Sequence, residues 1–225
     1  FKDDSNDAGG YIVFKNKKSL LTVDIGKAPD KKFSKDYQAG LFSFEFSFLG
    51  EKVITNSGYF QDYKHQLNII SKSSATHSTL VLDNTSTVSF ERNSQGHMLV
   101  NKNFKILNKE IKSEKNFWII KASHDAYSKS YGLIHERKIS YFHDIHRLEG
   151  CDRLIKTKNF KPSNFAIRFH LLPEINLTKL LNNETILIEN KNAGWKFTCK
   201  NHKIYIETGL YFGMKNKYSE NKNIL

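Results

Sequence analysis

The sequence predicts an all-β fold: a large, multi-stranded antiparallel β-sandwich, supersandwich-like, with almost no helix. Phe42, Phe44, Phe46 and Phe48 alternate strictly with Ser43, Glu45 and Ser47. That period of two marks a strand with one aromatic face turned to a core. The composition agrees, with 17 Phe, 10 Tyr and 13% aromatic residues, types that suit a pleated, half-buried surface. Short apolar runs also recur along the whole length with turn residues between them, and no long run keeps a 3.6-residue period.

Taken in order, Tyr11–Phe14 and Leu20–Ile25 form an opening pair, with Asn16-Lys17-Lys18 turning between them. Residues 26–37 are a polar connection containing Pro29. The Phe strand follows over 41–48, and Gly50-Glu51 returns the chain into Val53–Thr55. Asn56-Ser57-Gly58 then breaks it, and 57–74 reads as a loop rich in Ser, Lys, Gln and Tyr. Short strands are expected at Leu80–Leu82, Val88–Phe90, Met98–Val100 and Phe104–Leu107, and longer ones at Asn116–Ala122, Leu133–Phe142 and Ile145–Ile155. Phe165–Leu172, Thr185–Ile188, Trp195–Cys199 and Ile204–Thr208 close the series. Asn182-Asn183 and Asn201-His202 separate apolar runs as hairpin turns do. With no internal repeat, low-complexity linker or Pro/Gly hinge, residues 1–225 read as one domain.

Composition narrows the function classes. A hydrophobic share of 39% is enough for a core, and no stretch is long enough to cross a bilayer as a helix. The net charge of +12 comes from 30 Lys and only 5 Arg, beside 21 Asn. An AT-rich coding bias would account for part of that basicity, while a functional reading is that a basic surface draws in polyanions such as uronate polysaccharides. No Lys/Arg cluster interleaves with aromatics as in nucleic-acid modules, so nucleic acid is not an expected partner. Cys151 and Cys199 lack CxxC spacing; two buried strand thiols are expected, with a single disulfide as the alternative. The polar start FKDDSNDAGG carries no apolar leader, and the chain is expected to be a fragment or processed product beginning at a domain boundary.

Several segments carry a family likeness. QAGLFSFEFSFLGEKVITNSG (38–58) is followed by SATHSTLVLD (74–83), then by Ser123-His124-Asp125-Ala126-Tyr127 and Gly132-Leu133-Ile134-His135-Glu136-Arg137. Leu148-Glu149-Gly150-Cys151-Asp152-Arg153-Leu154, Phe165–Leu171 and Gly194-Trp195-Lys196-Phe197 come after them in the same order. Together they resemble the C-terminal β-domain of heparinase II/III-like polysaccharide lyases. The resemblance implies a bacterial envelope or periplasmic protein whose parent cleaves acidic polysaccharide by β-elimination. It also implies an upstream (α/α) toroid that supplies most catalytic groups, so the isolated chain is expected to be inactive. The β-domain would line one wall of a glycan cleft; a non-catalytic glycan-binding or structural module is the alternative. Family metal positions fall on Asp36 and Gln38, on Asn56 and on His77, of which only His77 keeps its ligand type. No cofactor is therefore expected, and structural zinc or calcium is disfavoured.

The candidate catalytic residues are His77, His124 and His135, and the candidate substrate-binding residues are Arg137, Arg168 and His170. His77 reads either as a satisfied histidine at a strand start or as a cleft-facing one. His124, Asp125 and Tyr127 read as a turn-stabilising network, because adjacent strand residues point to opposite faces. His135 and Arg137 share a face opposite Ile134, and Arg168 and His170 share one opposite Ile167, Phe169 and Leu171. A guanidinium fork beside a histidine suits carboxylate or sulfate, although a cross-strand salt bridge explains Arg168 equally well. His143 and His146 flank a turn and read as exposed.

Overall fold

The Phe-rich segment folds inside an antiparallel meander. In the computed structural model, which describes residues 4–158 and 160–225, β1 (Asp4–Ala8), β2 (Tyr11–Lys15), β3 (Ser19–Asp24), β4 (Phe44–Phe48) and β5 (Glu51–Ile54) lie side by side in chain order. Phe14, Leu21, Val23, Phe44, Phe46 and Phe48 are buried on one face, as their period of two requires. Leu49 and Gly50 both take positive φ, 51° and 82°, which the tight β4–β5 hairpin turn needs.

Helix α1 (Gln66–Lys72) comes next, followed by the strands β6 (Leu80–Leu82), β7 (Ser89–Arg92) and β8 (Met98–Lys102). A second meander consists of β9 (Ile106–Ser113), β10 (Phe117–His124), β11 (Leu133–Phe142) and β12 (Arg147–Lys156), with the single turn α2 (Ser128–Tyr131) between β10 and β11. The remaining strands are β13 (Phe165–Ile167), β14 (Phe169–His170), β15 (Asn176–Lys179), β16 (Thr185–Glu189), β17 (Gly194–Thr198), β18 (Ile206–Tyr211) and β19 (Ser219–Ile224). They pair as β13–β6, β14–β19–β18 and β15–β16–β17.

The inner faces of the two meanders make the core. Phe14 stacks on Trp118 with centroids 5.4 Å apart, and Phe46 meets Tyr141 at 5.0 Å. Trp195 of β17 stands edge-on to Phe46 and Phe48. Burial of each such ring contributes about 1.5–3 kcal/mol. The Ser19 hydroxyl and the Tyr141 phenol join the two meanders by a 2.7 Å hydrogen bond.

Several expectations need correction. The Phe strand begins at Phe44, because Phe42 has φ 61°, a left-handed conformation that ends strand geometry. The expected loop over 57–74 contains α1, too short to show a helical period. Cys151 in β12 and Cys199 just beyond β17 are exposed free thiols, not buried ones, since Cys151 falls on the outward face of its strand. The expected strand over 165–172 breaks at Arg168, its halves pairing with different sheets. Asn201-His202 does not close a hairpin, because β17 pairs with β16 and β18 with β19. His143 and His146 are half-buried, packed on Trp118 and Phe48 respectively.

Candidate functional site

Two arrays of buried histidines meet at residues 73–79. The first is set by register. His124 of β10 lies opposite His135 of β11, and Arg137 of β11 lies opposite Asp152 of β12, so all four side chains enter the same end of the sandwich. The Ala126 N–H donates to His124 Nδ1 at 3.2 Å, which assigns the His124 proton to Nε2. Nε2–H then donates to His135 Nδ1 at 3.1 Å, and His135 Nε2–H donates to Asp152 Oδ1 at 2.6 Å. Arg137 grips both carboxylate oxygens of Asp152, from Nε at 2.7 Å and Nη2 at 2.9 Å. Its Nη1 donates to two backbone carbonyls, Phe42 at 2.9 Å and Ser78 at 2.8 Å.

Electrostatics follow from that closure. Burial, with the nearby His135 and Arg137, holds His124 well below the usual histidine range. Burial also lowers His135 against the pull of Asp152. Burial alone would raise the Asp152 carboxyl, but Arg137 and His135 outweigh it and hold it well below the usual carboxylate range. The array is thus two neutral imidazoles ending on one ion pair, with every ring nitrogen engaged.

The second array surrounds Ser78. The Asn56 side-chain oxygen accepts from the Ser78 N–H at 2.8 Å, and the Ser78 hydroxyl donates to the Thr55 carbonyl at 2.6 Å. His170 of β14 donates from Nε2 to the Ala75 carbonyl at 3.1 Å and accepts on Nδ1 from the Ser57 hydroxyl at 3.0 Å. Burial pushes it down to about 3. His77 caps a single 3-10 turn (Ser74–Thr76) and is 6% exposed. Its Nδ1–H donates to the Ser73 carbonyl at 2.8 Å. Burial lowers it to about 4, partly offset by that bond and by Glu45.

The other nitrogen of His77 sets it apart. With the proton on Nδ1, Nε2 carries a lone pair. Nε2 has no hydrogen-bond partner among the described residues, nor is it one of the fully buried unpartnered atoms, so a sliver of it remains accessible in a ring that is otherwise buried. The ring rests on the backbone of Gly40, where a Cβ would lie 2.7 Å from His77 Cδ2 and 3.2 Å from Nε2. Glu45 bears on it from β4, while its carboxylate takes Lys52 Nζ at 2.7 Å, the Thr55 hydroxyl at 3.1 Å and the Asn56 N–H at 3.2 Å.

The other nominated residues are placed as follows. His124, His135, Arg137 and His170 are each 4% exposed or less. The polar face that His135 and Arg137 share is an interior one, so the expected carboxylate-binding guanidinium of Arg137 is closed on Asp152 and two carbonyls. Arg168 forms an ion pair with Glu207 at 2.7 Å, the salt bridge foreseen as its alternative; His170 has both ring nitrogens engaged. Asp125 steadies its turn through the Lys105 N–H at 2.7 Å, and the Tyr127 phenol donates to the Leu80 carbonyl at 3.2 Å.

The family metal positions do not fit a metal. Gln38 and Asn56 offer neutral amides, and the Asn56 oxygen already accepts from Ser78. Among the described residues, no three His, Cys, Asp or Glu side chains converge. Among the described residues these positions supply neither a zinc set of His, Cys or carboxylate nor a calcium cage of carboxylates. Sequence reasoning passed over Asp152, which lay in view in the 148–154 segment, and also over Lys72, Gly40 and Ser73, whose roles come only from folding.

Comparison with known proteins agrees with this fold. A family model described as heparinase II/III-like, C-terminal, matches residues 2–225. The heparan sulfate lyase HepC from Pedobacter heparinus superposes with a TM-score of 0.74 at 15% identity, covering 98% of this chain and 33% of that one. A heparinase III, the BT4657 gene product, gives 0.75 at 16% identity, covering 99% of this chain and 33% of its own. The chain thus spans about a third of the length of these solved structures. No curated protein sequence matches it. No helix among the described residues is long and apolar enough to cross a membrane.

Proposed function

The chain belongs to the heparinase II/III-like C-terminal family, and on that premise we propose that it is the β-sandwich domain of a polysaccharide lyase. In this reading residues 1–225 form one domain that lines one wall of a cleft for acidic, uronate-containing polysaccharide. An upstream toroid of the same protein supplies the other wall and most of the catalytic groups, and the protein works in the bacterial envelope. The observation that carries the reading is His77, the one nominated histidine whose ring keeps an open, unprotonated nitrogen.

The chemistry of that nitrogen limits its role. β-Elimination needs a base for the C5 proton, donors for the uronate carboxylate and an acid for the leaving O4. A neutral imidazole with Nδ1–H fixed on Ser73 presents a lone pair, so His77 accepts a proton or a hydroxyl hydrogen bond. Burial disfavours its imidazolium, which makes it a poor acid at neutral pH. Arg137 and His170 hold the wall together and do not touch the glycan. The amides at Gln38 and Asn56 favour the second reading, a wall that binds acidic glycan without cleaving it.

The test is formation of ultraviolet-absorbing unsaturated uronate. The full-length protein should form it, its His77→Gln variant should lose at least tenfold in rate, and the 225-residue chain alone should form none. A full-length protein that binds uronate oligosaccharide but never cleaves it would leave the binding module as the function. Unimpaired cleavage by His77→Gln would remove His77 from the site.

A further inference from the structure

The loop at 35–42 lies against His77, and two buried cations hold its two ends. At one end Lys72, 1% exposed at the close of α1, donates from Nζ to the carbonyls of Lys35 at 2.5 Å and Tyr37 at 3.1 Å. Its ammonium lies over the rings of Tyr59 and Phe90, 5.2 and 5.5 Å from their centroids. The Ala39 N–H returns a bond to the Lys72 carbonyl at 2.8 Å, and the Ser74 hydroxyl donates to the Ala39 carbonyl at 2.7 Å. At the other end Arg137 Nη1 joins the Phe42 carbonyl to that of Ser78, the residue after His77. Phe42 adopts φ 61°, uncommon for an aromatic residue. Between these anchors Gly40 lies against the imidazole, where a Cβ would come within 2.7 Å of His77 Cδ2.

Among the described residues Lys72 has no carboxylate in hydrogen-bond contact; Asp36 acts on it only through its field, and neutral carbonyls compensate a buried ammonium less well than a contacting anion does. Desolvation pushes it down to about 8. A methionine of similar length would fill the same space without that cost, so packing alone does not call for a lysine here. Its three donors suit a different task, fixing a stretch of backbone that has no sheet partner.

Resting on the reading that His77 faces the glycan, we infer that Lys72 and Arg137 are positioning residues that hold the 35–42 loop against His77 and so keep its Nε2 turned outward. They act through backbone carbonyls and Gly40, and neither touches the substrate. Without them the ring is free to leave the Ser73 carbonyl and exchange tautomers.

The experiment is ring-nitrogen NMR of the full-length protein labelled at histidine, at a pH where its imidazoles are neutral. The His77 signals are assigned by their loss in His77→Gln. The wild type should show one His77 tautomer, protonated on Nδ1. Lys72→Met, Arg137→Lys and Gly40→Ala should each replace it with an exchanging mixture, while His170 keeps its pattern. General destabilisation would lower the melting temperature and leave the His77 pattern untouched. A retained single tautomer in Lys72→Met and Arg137→Lys would overturn the inference; should Arg137→Lys fail to fold, Lys72→Met decides alone. Glycan binding is scored separately on the wild type, where failure would sink the cleft reading and leave the tautomer result standing.

Discussion

The interior array of His124, His135, Asp152 and Arg137 and the edge array of His77 and His170 both rest on buried histidines, yet they differ in closure. In the first, each ring nitrogen has one partner and the single anion is matched by the single cation. In the second, His170 is closed in the same way but His77 is closed on one side only. Burial by itself therefore does not distinguish these histidines from one another. The unmatched lone pair of His77 does.

The comparison breaks first at Arg137. Removing it with Arg137→Ala leaves the buried Asp152 carboxylate without its cation, and denaturant unfolding should show a loss of about 3–5 kcal/mol. His77→Gln, which removes a ring bonded on one side, should cost only about 1 kcal/mol. Equal costs would mean that the two arrays do not differ in closure.

Acid should act on both arrays in the same direction. His77, His124, His135 and His170 all have lowered folded-state values, so the unfolded chain binds more protons below about 6.5. Their contribution is fully present above that pH and is lost as pH falls toward about 4 for His77 and about 3 for His170. Asp24 opposes this. Burial raises it to about 6, so between its ordinary value and 6 the folded state holds the extra proton and gains as pH falls. Four histidines outweigh one carboxyl, and melting temperature should fall steadily from pH 6.5 to 4. A flat profile would contradict the neutral assignment of the rings.

A smaller effect sharpens the contrast between polar closure and apolar packing. Tyr141→Phe removes the phenol that bonds Ser19 across the two meanders and leaves the ring against Trp118 and Phe46, and it should cost about 1 kcal/mol by thermal unfolding. A cost near that of Arg137→Ala would show that the cross-sheet bond belongs to a larger network.

Much of this frame is legible in the sequence because it is periodic. β11 has the bounds that its alternation predicts, and the pairing of Phe44, Phe46 and Phe48 with an aromatic core follows from spacing alone. β1, β15 and β19 escape notice because DSNDA, NLTK and SENKNI carry too few apolar residues to alternate. The shared face of His135 and Arg137 is also legible, but whether that face looks inward is not. It depends on Asp152, which reaches Arg137 only through β11–β12 register. The kink at Phe42 and the contact of Gly40 with His77 are long-range, and no local pattern encodes either.

The most direct measurement is the response of the histidine ring nitrogens of the full-length protein to a uronate oligosaccharide. The account predicts that His77 Nε2 shifts as it accepts a hydrogen bond, while His124, His135 and His170 stay where they are. Binding that leaves His77 unmoved, or that moves His124 and His135 instead, would contradict it.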